Sequence, residues 1–316
     1  MPFPSFVHLS REIARALVVD APVVALESTV ITHGLPYPEN LQLAQNMERT
    51  VREQNATPAT IALLDGKVYI GLNTAQLEQL AQGKEVRKVS VRDFAPAVVQ
   101  KAMGGTTVAG TLAAAHTAGL RVFATGGIGG VHRAGEGSNH PTDISTDLIQ
   151  LARTPLVVVC AGAKAILDLP ATLEMLETLG VPVLGYQTDE FPAFYSRGSG
   201  LAVSTRVDTP LEIAEIARAH WQMGFNSAVL VTNPPPEEAA LSPDHVDGAI
   251  QQALQEAQAQ GLRGQGVTPF LLKRVSELTG GVSLRANLAL LLNNARLAAQ
   301  IACVLPKPGH NAVFST

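Results

Sequence analysis

Short, unbroken apolar runs alternate along the chain with longer stretches in which apolar residues recur every three or four positions. The first pattern suits strands buried on both faces, and the second paints one face of a helix. Strands are predicted at Val23–Leu26, Thr60–Leu64, Val68–Gly71, Arg121–Ala124, Leu156–Val159, Val181–Leu184 and Ala228–Val231. Helices are predicted at Glu39–Asn55, Val108–Ala118, Ala165–Leu179, Pro210–Met223, Pro243–Ala259 and Ser283–Ala302. Their alternation predicts an α/β fold, layered α/β/α around a central sheet. Asp65-Gly66 between two strand runs is a hairpin signal, so the sheet is expected to be mixed. No linker, charge run or repeat divides the sequence, which predicts a single domain over residues 1–316 with its core at about 20–303. The cluster Asn233-Pro234-Pro235-Pro236 reads as a rigid surface loop.

Composition narrows the function classes. With 46% hydrophobic and 16% charged residues, the 316-residue chain is neither disordered nor a solvated charged-helix protein. Nine Phe, four Tyr and one Trp leave the interior to small aliphatic residues. A net charge of −4 without a basic run gives no electrostatic grip on a nucleic-acid polymer. Cys160 and Cys303 form no spaced pair, which fits a reducing cytoplasm. Met1–Ser10 carries no signal-peptide pattern, and no uncharged apolar stretch is long enough for a membrane span.

Several motifs carry candidate chemistry, each beside a plainer reading. Thr125-Gly-Gly-Ile-Gly-Gly-Val-His-Arg133 follows a predicted strand, where α/β folds bind ligands; it is a phosphate loop or a tight turn. Gly104–Thr111 leads into a helix with threonine as a possible cap. Lys164 follows an apolar strand and three small residues, Ala161-Gly162-Ala163. It is either a snorkelling lysine at a helix start or a desolvated nucleophile capable of a Schiff base. Glu27 emerges at a strand tip beside Ser28, Thr29, Thr32 and His33, as a buried general acid or as an ordinary strand-end carboxylate. Asp143-Ile-Ser-Thr-Asp147 offers oxygen ligands for a hard cation or caps for a helix. Asn287 and Asn294, seven apart on an apolar helix, need partners, either a ligand or a facing backbone.

Taken in order, Glu27–Gly34, Lys88-Val-Ser-Val-Arg-Asp93, Gly104–Thr111, Thr125–Arg133, Asp143–Asp147, Cys160–Lys164 and Asn287–Asn294 resemble the pseudouridine-5′-phosphate glycosidase, or indigoidine synthase A-like, family. The resemblance runs from about Val23 to Ala302. It implies reversible cleavage of the carbon–carbon glycosidic bond of pseudouridine 5′-phosphate to uracil and ribose 5-phosphate. It also implies Lys164 as covalent nucleophile, Glu27 as proton donor to the uracil carbon, and manganese, one ion per subunit, at Asp143. Lys88, Val108, Ser145, Thr146 and Asp147 fall on its substrate-contacting positions. Thr125 and His132 are added as phosphate contacts and Asn287 as a uracil contact. A homotrimer and a separate pseudouridine kinase are the implied partners, since only Cys303–Thr316 follows the last motif. With so few aromatic residues, uracil is expected to be held by amides and backbone more than by stacking.

Ala134–Thr142 departs from the family pattern: it is long and glycine-rich, and Thr142 stands where an aromatic is usual. The role of Glu136 is open there, and His140 reads as a solvated loop residue before a metal ligand. Two other functions fit parts of the pattern. A retro-aldol cleavage would use Lys164 without metal, and a phosphosugar sensor would use the glycine loop without Glu27 or Lys164.

Overall fold

The computed structural model of the protein describes residues 3–133, 143–262 and 264–305; Glu136 and His140 lie outside them. The strands are β1 (Val7–Leu9), β2 (Val23–Leu26), β3 (Thr57–Leu64), β4 (Lys67–Ile70), β5 (Arg87–Val89), β6 (Gly104–Thr106) and β7 (Val122–Ala124). They continue as β8 (Val131–His132), β9 (Val157–Cys160), β10 (Leu167–Asp168), β11 (Val183–Tyr186), β12 (Thr205–Val207) and β13 (Val229–Thr232). One mixed sheet runs β1-β4-β3-β2-β7-β9-β13-β11-β12, with β6 on β3 and β5 on β6. Its centre, β2, β7, β9 and β13, is all parallel. The antiparallel pairs cluster on β3.

The cause of each feature is local. Val157, Val158, Val159 and Cys160 of β9 are fully buried, the continuous apolar run that a doubly covered parallel strand demands. Asp65 and Gly66 both take positive φ, the backbone of a tight hairpin turn, so β3 and β4 pair antiparallel as expected. Helices flank the sheet: Val282–Val304 packs across β2, β7 and β9 and against the helices Glu39–Glu53 and Pro210–Gln222. Among the described residues no helix is long and apolar enough to cross a membrane.

Three expectations are corrected. The helix expected from Ala165 begins at Leu169, capped by Asp168, whose carboxylate accepts from Ala171 N at 3.0 Å. Residues 161–168 instead form a loop and the short strand β10, so Lys164 does not start a helix. The proline cluster is a loop, but Asn233, Pro234 and Pro235 are buried: Asn293 donates to the Pro234 carbonyl and Arg197 to that of Pro235. The helices Arg11–Val18, Thr74–Gln82 and Val267–Leu278 were not expected.

Candidate active site

Parallel strands send their carboxyl ends to the same edge of a sheet, the place where open α/β sheets bind ligands. Leu26 of β2 is level with Ala124 of β7, and Ala124 with Val159 of β9. The residues that follow these strands, Glu27, Thr125 and the loop to Lys164, therefore meet at one rim. A cavity of about 1080 Å³ opens there, and Glu27, Lys88, Val108, His132, Asp143, Ser145, Thr146, Asp147, Lys164 and Asn287 all line it. Thr125 and Asn294 do not line it.

Thr125 is fully buried, and its hydroxyl donates to the Glu27 carboxylate. Burial pushes the Glu27 carboxyl above its ordinary range, opposed by the Lys164 ammonium and by the Thr125 hydrogen bond. A shift in this direction favours the protonated form, the one a general acid uses.

Lys164 is placed by main-chain bonds to the glycine loop. Its N–H donates to Ile128 O at 3.1 Å, Ile128 N to Gly162 O at 3.1 Å and Ala161 N to Gly126 O at 2.9 Å. The ribbon of β8 with β10 and the Arg133 guanidinium, which donates to the carbonyls of Ala165 and Leu167 at 3.1 Å, brace the same loop.

The glycine loop does cradle an anion, but one from the protein. Gly129 N donates to Asp147 Oδ2 at 2.8 Å, and Ala109 N donates to Asp147 Oδ1 at 2.9 Å. A side chain on Gly129 would begin within 2.2 Å of Ser145 Oγ, so only glycine allows this approach. Asp147 thus latches the helices Val108–Thr117 and Thr146–Leu151 to the loop, while Ser145 caps the second, its hydroxyl accepting from Asp147 N at 3.3 Å. Thr107 caps the first, accepting from Gly110 N at 3.1 Å and bringing Val108 to the cavity edge.

Lys88 extends from β5 into the cavity, where burial and the Lys164 charge pull its amine below the usual lysine range. His132 also sits below its ordinary value through burial, against the pull of Asp143. Asp143 stands exposed at the cavity mouth, its carbonyl accepting from His132 N at 2.9 Å. Among the described residues no three His, Cys, Asp or Glu side chains gather as a metal cage. Asp147 is committed to amides and Glu27 to Thr125, which leaves the exposed Asp143 carboxylate as the candidate ligand, and one carboxylate suits a hard cation keeping most of its waters.

The strand-end motif that begins at Glu27 supplies more of the lining. Thr29 to Gly34 leave β2 through a turn of π-helix at Val30–Gly34, a widened turn common at functional sites. Among the described residues Thr29 Oγ1 is buried there without a hydrogen-bond partner, and His33 Nδ1 meets Thr32 Oγ1 at 2.7 Å. Phe194 and the helix Val267–Leu278 complete the wall. Of the two asparagines, Asn287 lines the cavity, whereas Asn294 is fully buried and donates to Thr125 O at 2.9 Å while accepting from Asn233 at 3.1 Å.

Comparison with known proteins agrees with this geometry. The pseudouridine-5′-phosphate glycosidase of Geobacillus kaustophilus (strain HTA426) is 54% identical over 297 residues, 94% of this chain and 98% of that relative. The one from Staphylococcus aureus (strain MW2) is 49% identical over 302 residues, 96% of this chain and 97% of the relative. Among solved structures, the prealnumycin C-glycosynthase AlnA in complex with ribulose 5-phosphate superposes with a TM-score of 0.87 at 42% identity, covering 96% of this chain and 97% of its own. An indigoidine synthase A-like protein from Thermotoga maritima gives 0.86 at 36% identity, with the same coverage of 96% and 97%. The family described as indigoidine synthase A like protein matches residues 12–304, and the chain belongs to it.

Proposed function

We propose that the chain is a pseudouridine-5′-phosphate glycosidase that splits the carbon–carbon glycosidic bond to uracil and ribose 5-phosphate through a covalent bond to Lys164. The observation that carries this reading is the buried carboxyl of Glu27, its pKa raised by that burial, in the same cavity as the Lys164 amine and Lys88. A leaving carbon has no lone pair to protonate, so a pair of carboxylates alone does not labilise it. An amine does. The Lys164 nitrogen bonds to the anomeric carbon as that carbon's bond to the ring oxygen breaks, and the proton the nitrogen loses goes to the ring oxygen. The nitrogen lone pair then forms the imine as the electrons of the carbon–carbon bond pass into the uracil ring, whose leaving carbon takes the proton of Glu27. Water hydrolyses the imine, releasing ribose 5-phosphate and restoring the amine.

Within this reading Lys88, Ser145, Thr146 and the backbone at Val108 hold the sugar phosphate, His132 contributes at the same end, and Asn287 meets the uracil. Thr125 and Asp147 act by holding Glu27 and the loops in place. Asp143 is the residue that would hold a manganese ion, which would supply positive charge to offset that of the substrate. The enzyme works as a cytoplasmic homotrimer, with its phosphorylated substrate made by a separate kinase. Incubation with pseudouridine 5′-phosphate and manganese tests the reading: free uracil is the expected product, and its absence contradicts it.

A further inference from the structure

One pair of helices borders two separate cavities. Pro243–Ala259 and Val267–Leu278 pack on each other, and the Arg274 guanidinium of the second donates to both carboxylate oxygens of Glu256 on the first, at 2.6 and 3.0 Å. The second helix faces the reaction cavity with Thr268, Leu272, Lys273 and Ser276, while its Leu271 and Val275 are fully buried. The first helix faces elsewhere. Its Val246, Asp247 and Ile250 line a cavity of about 510 Å³ shared with Leu169, Ala193 and Ser199. No described residue of this first helix lines the reaction cavity, and Tyr195 lines both.

Polar ties hold the pair together and not to the rest of the chain. Among the described residues its side chains form hydrogen bonds and ion pairs only within it: Arg274 with Glu256 and Glu277, Lys273 with Glu277, and Gln252 with Glu256. The second helix rests on the turn Val30–Gly34 and on the helix Val282–Val304. Gly280-Gly281 links it to that last helix, both residues left-handed, with φ of +59° and +80°. Nothing lies within 4 Å of where a side chain on Gly280 would begin, and only the end of Arg285 comes that close at Gly281. Thr279 bridges the joint, its hydroxyl meeting Ser283 Oγ at 3.0 Å, but side-chain packing does not hold the two glycines.

We infer that the helix pair is a lid that moves as one body over the reaction cavity, hinged at Gly280-Gly281, with the second cavity as the space it moves against. The reaction cavity, at about 1080 Å³, exceeds the roughly 300–1,000 Å³ usual for a small-molecule site, and closure of the lid reduces it. A closed lid keeps water from the reacting carbon while the chemistry proceeds. The inference goes beyond the glycosidase reading: it needs this cavity to be the reaction site, and not a particular substrate.

Native-state hydrogen exchange read by mass spectrometry tests it. In the free protein, peptides from 246–257 and 271–278 should exchange together, about tenfold or more faster than β9, whose residues are fully buried. With ribose 5-phosphate and uracil both stretches should slow about threefold or more, including the first, which does not border the reaction cavity. Exchange as slow as in β9, or slowing confined to 271–278, overturns the inference, because a fixed wall touched by ligand behaves that way. So does an unchanged rate in a sample whose Lys164 carries ribose 5-phosphate after borohydride reduction. If no such adduct forms, the glycosidase reading fails, while exchange in the free protein still decides whether the pair is hinged.

Discussion

Thr125 donates its hydroxyl proton to the carboxylate of Glu27, joining the ends of two adjacent parallel strands across the floor of the cavity. The pair sets the protonation of the acid. A hydrogen bond to a carboxylate favours its charged form, so Thr125→Val should raise the Glu27 pKa beyond its already elevated position. The acid form then survives to higher pH. The alkaline limb of kcat/KM for uracil release is expected to move upward in T125V, with kcat falling because the carboxyl is less well oriented. An alkaline limb that stays in place contradicts Glu27 as the group that titrates.

The unpartnered hydroxyl of Thr29 gives a cleaner case. Because Thr29 Oγ1 has no partner within the described residues, T29V removes no internal hydrogen bond and should leave thermal stability unchanged or higher. If substrate supplies the missing partner, KM rises about threefold to tenfold, the value of one neutral hydrogen bond. Steady-state kinetics beside a melting curve distinguish the two effects.

Lys88 should matter only for the phosphate. K88A is expected to raise the KM for pseudouridine 5′-phosphate roughly tenfold to a hundredfold, the worth of a charge-assisted hydrogen bond, with a much smaller change in kcat. Its amine is held below the usual lysine range, so it loses charge earlier as pH rises, and substrate affinity should weaken sooner on the alkaline side than for an exposed lysine.

Removal of metal tests Asp143. Chelation should abolish activity and added manganese restore it, while D143N should need a higher manganese concentration, seen directly as weaker binding by manganese spin resonance. Full activity in the chelated enzyme would favour the metal-free, aldolase-like chemistry.

The sequence made the central strands legible because each is a continuous apolar run, and Asp65-Gly66 announced the hairpin. Helices such as Thr74–Gln82 escaped because their apolar faces are narrow: Leu77, Leu80 and Ala81 alone are buried. Around Lys164 the helical periodicity ran ahead of the true start, because Asp168 caps a helix that pattern alone extends backwards. Most of the candidate site was readable as strand-end motifs. What pattern could not reveal was which polar groups face inward. It did not show that the Thr125 hydroxyl sits on Glu27, and Asn294 looked equivalent to Asn287 until its amide was found on the Thr125 carbonyl. Both relationships depend on residues far apart in the chain.

The central claim is a covalent bond between Lys164 and the sugar. Borohydride reduction in the presence of ribose 5-phosphate, followed by peptide mass spectrometry, tests it most directly. The account predicts a reduced ribose-phosphate adduct on Lys164 and none in K164A, which should stay folded and release no uracil. Wild-type turnover in K164A, with no adduct on the wild-type lysine, would contradict it.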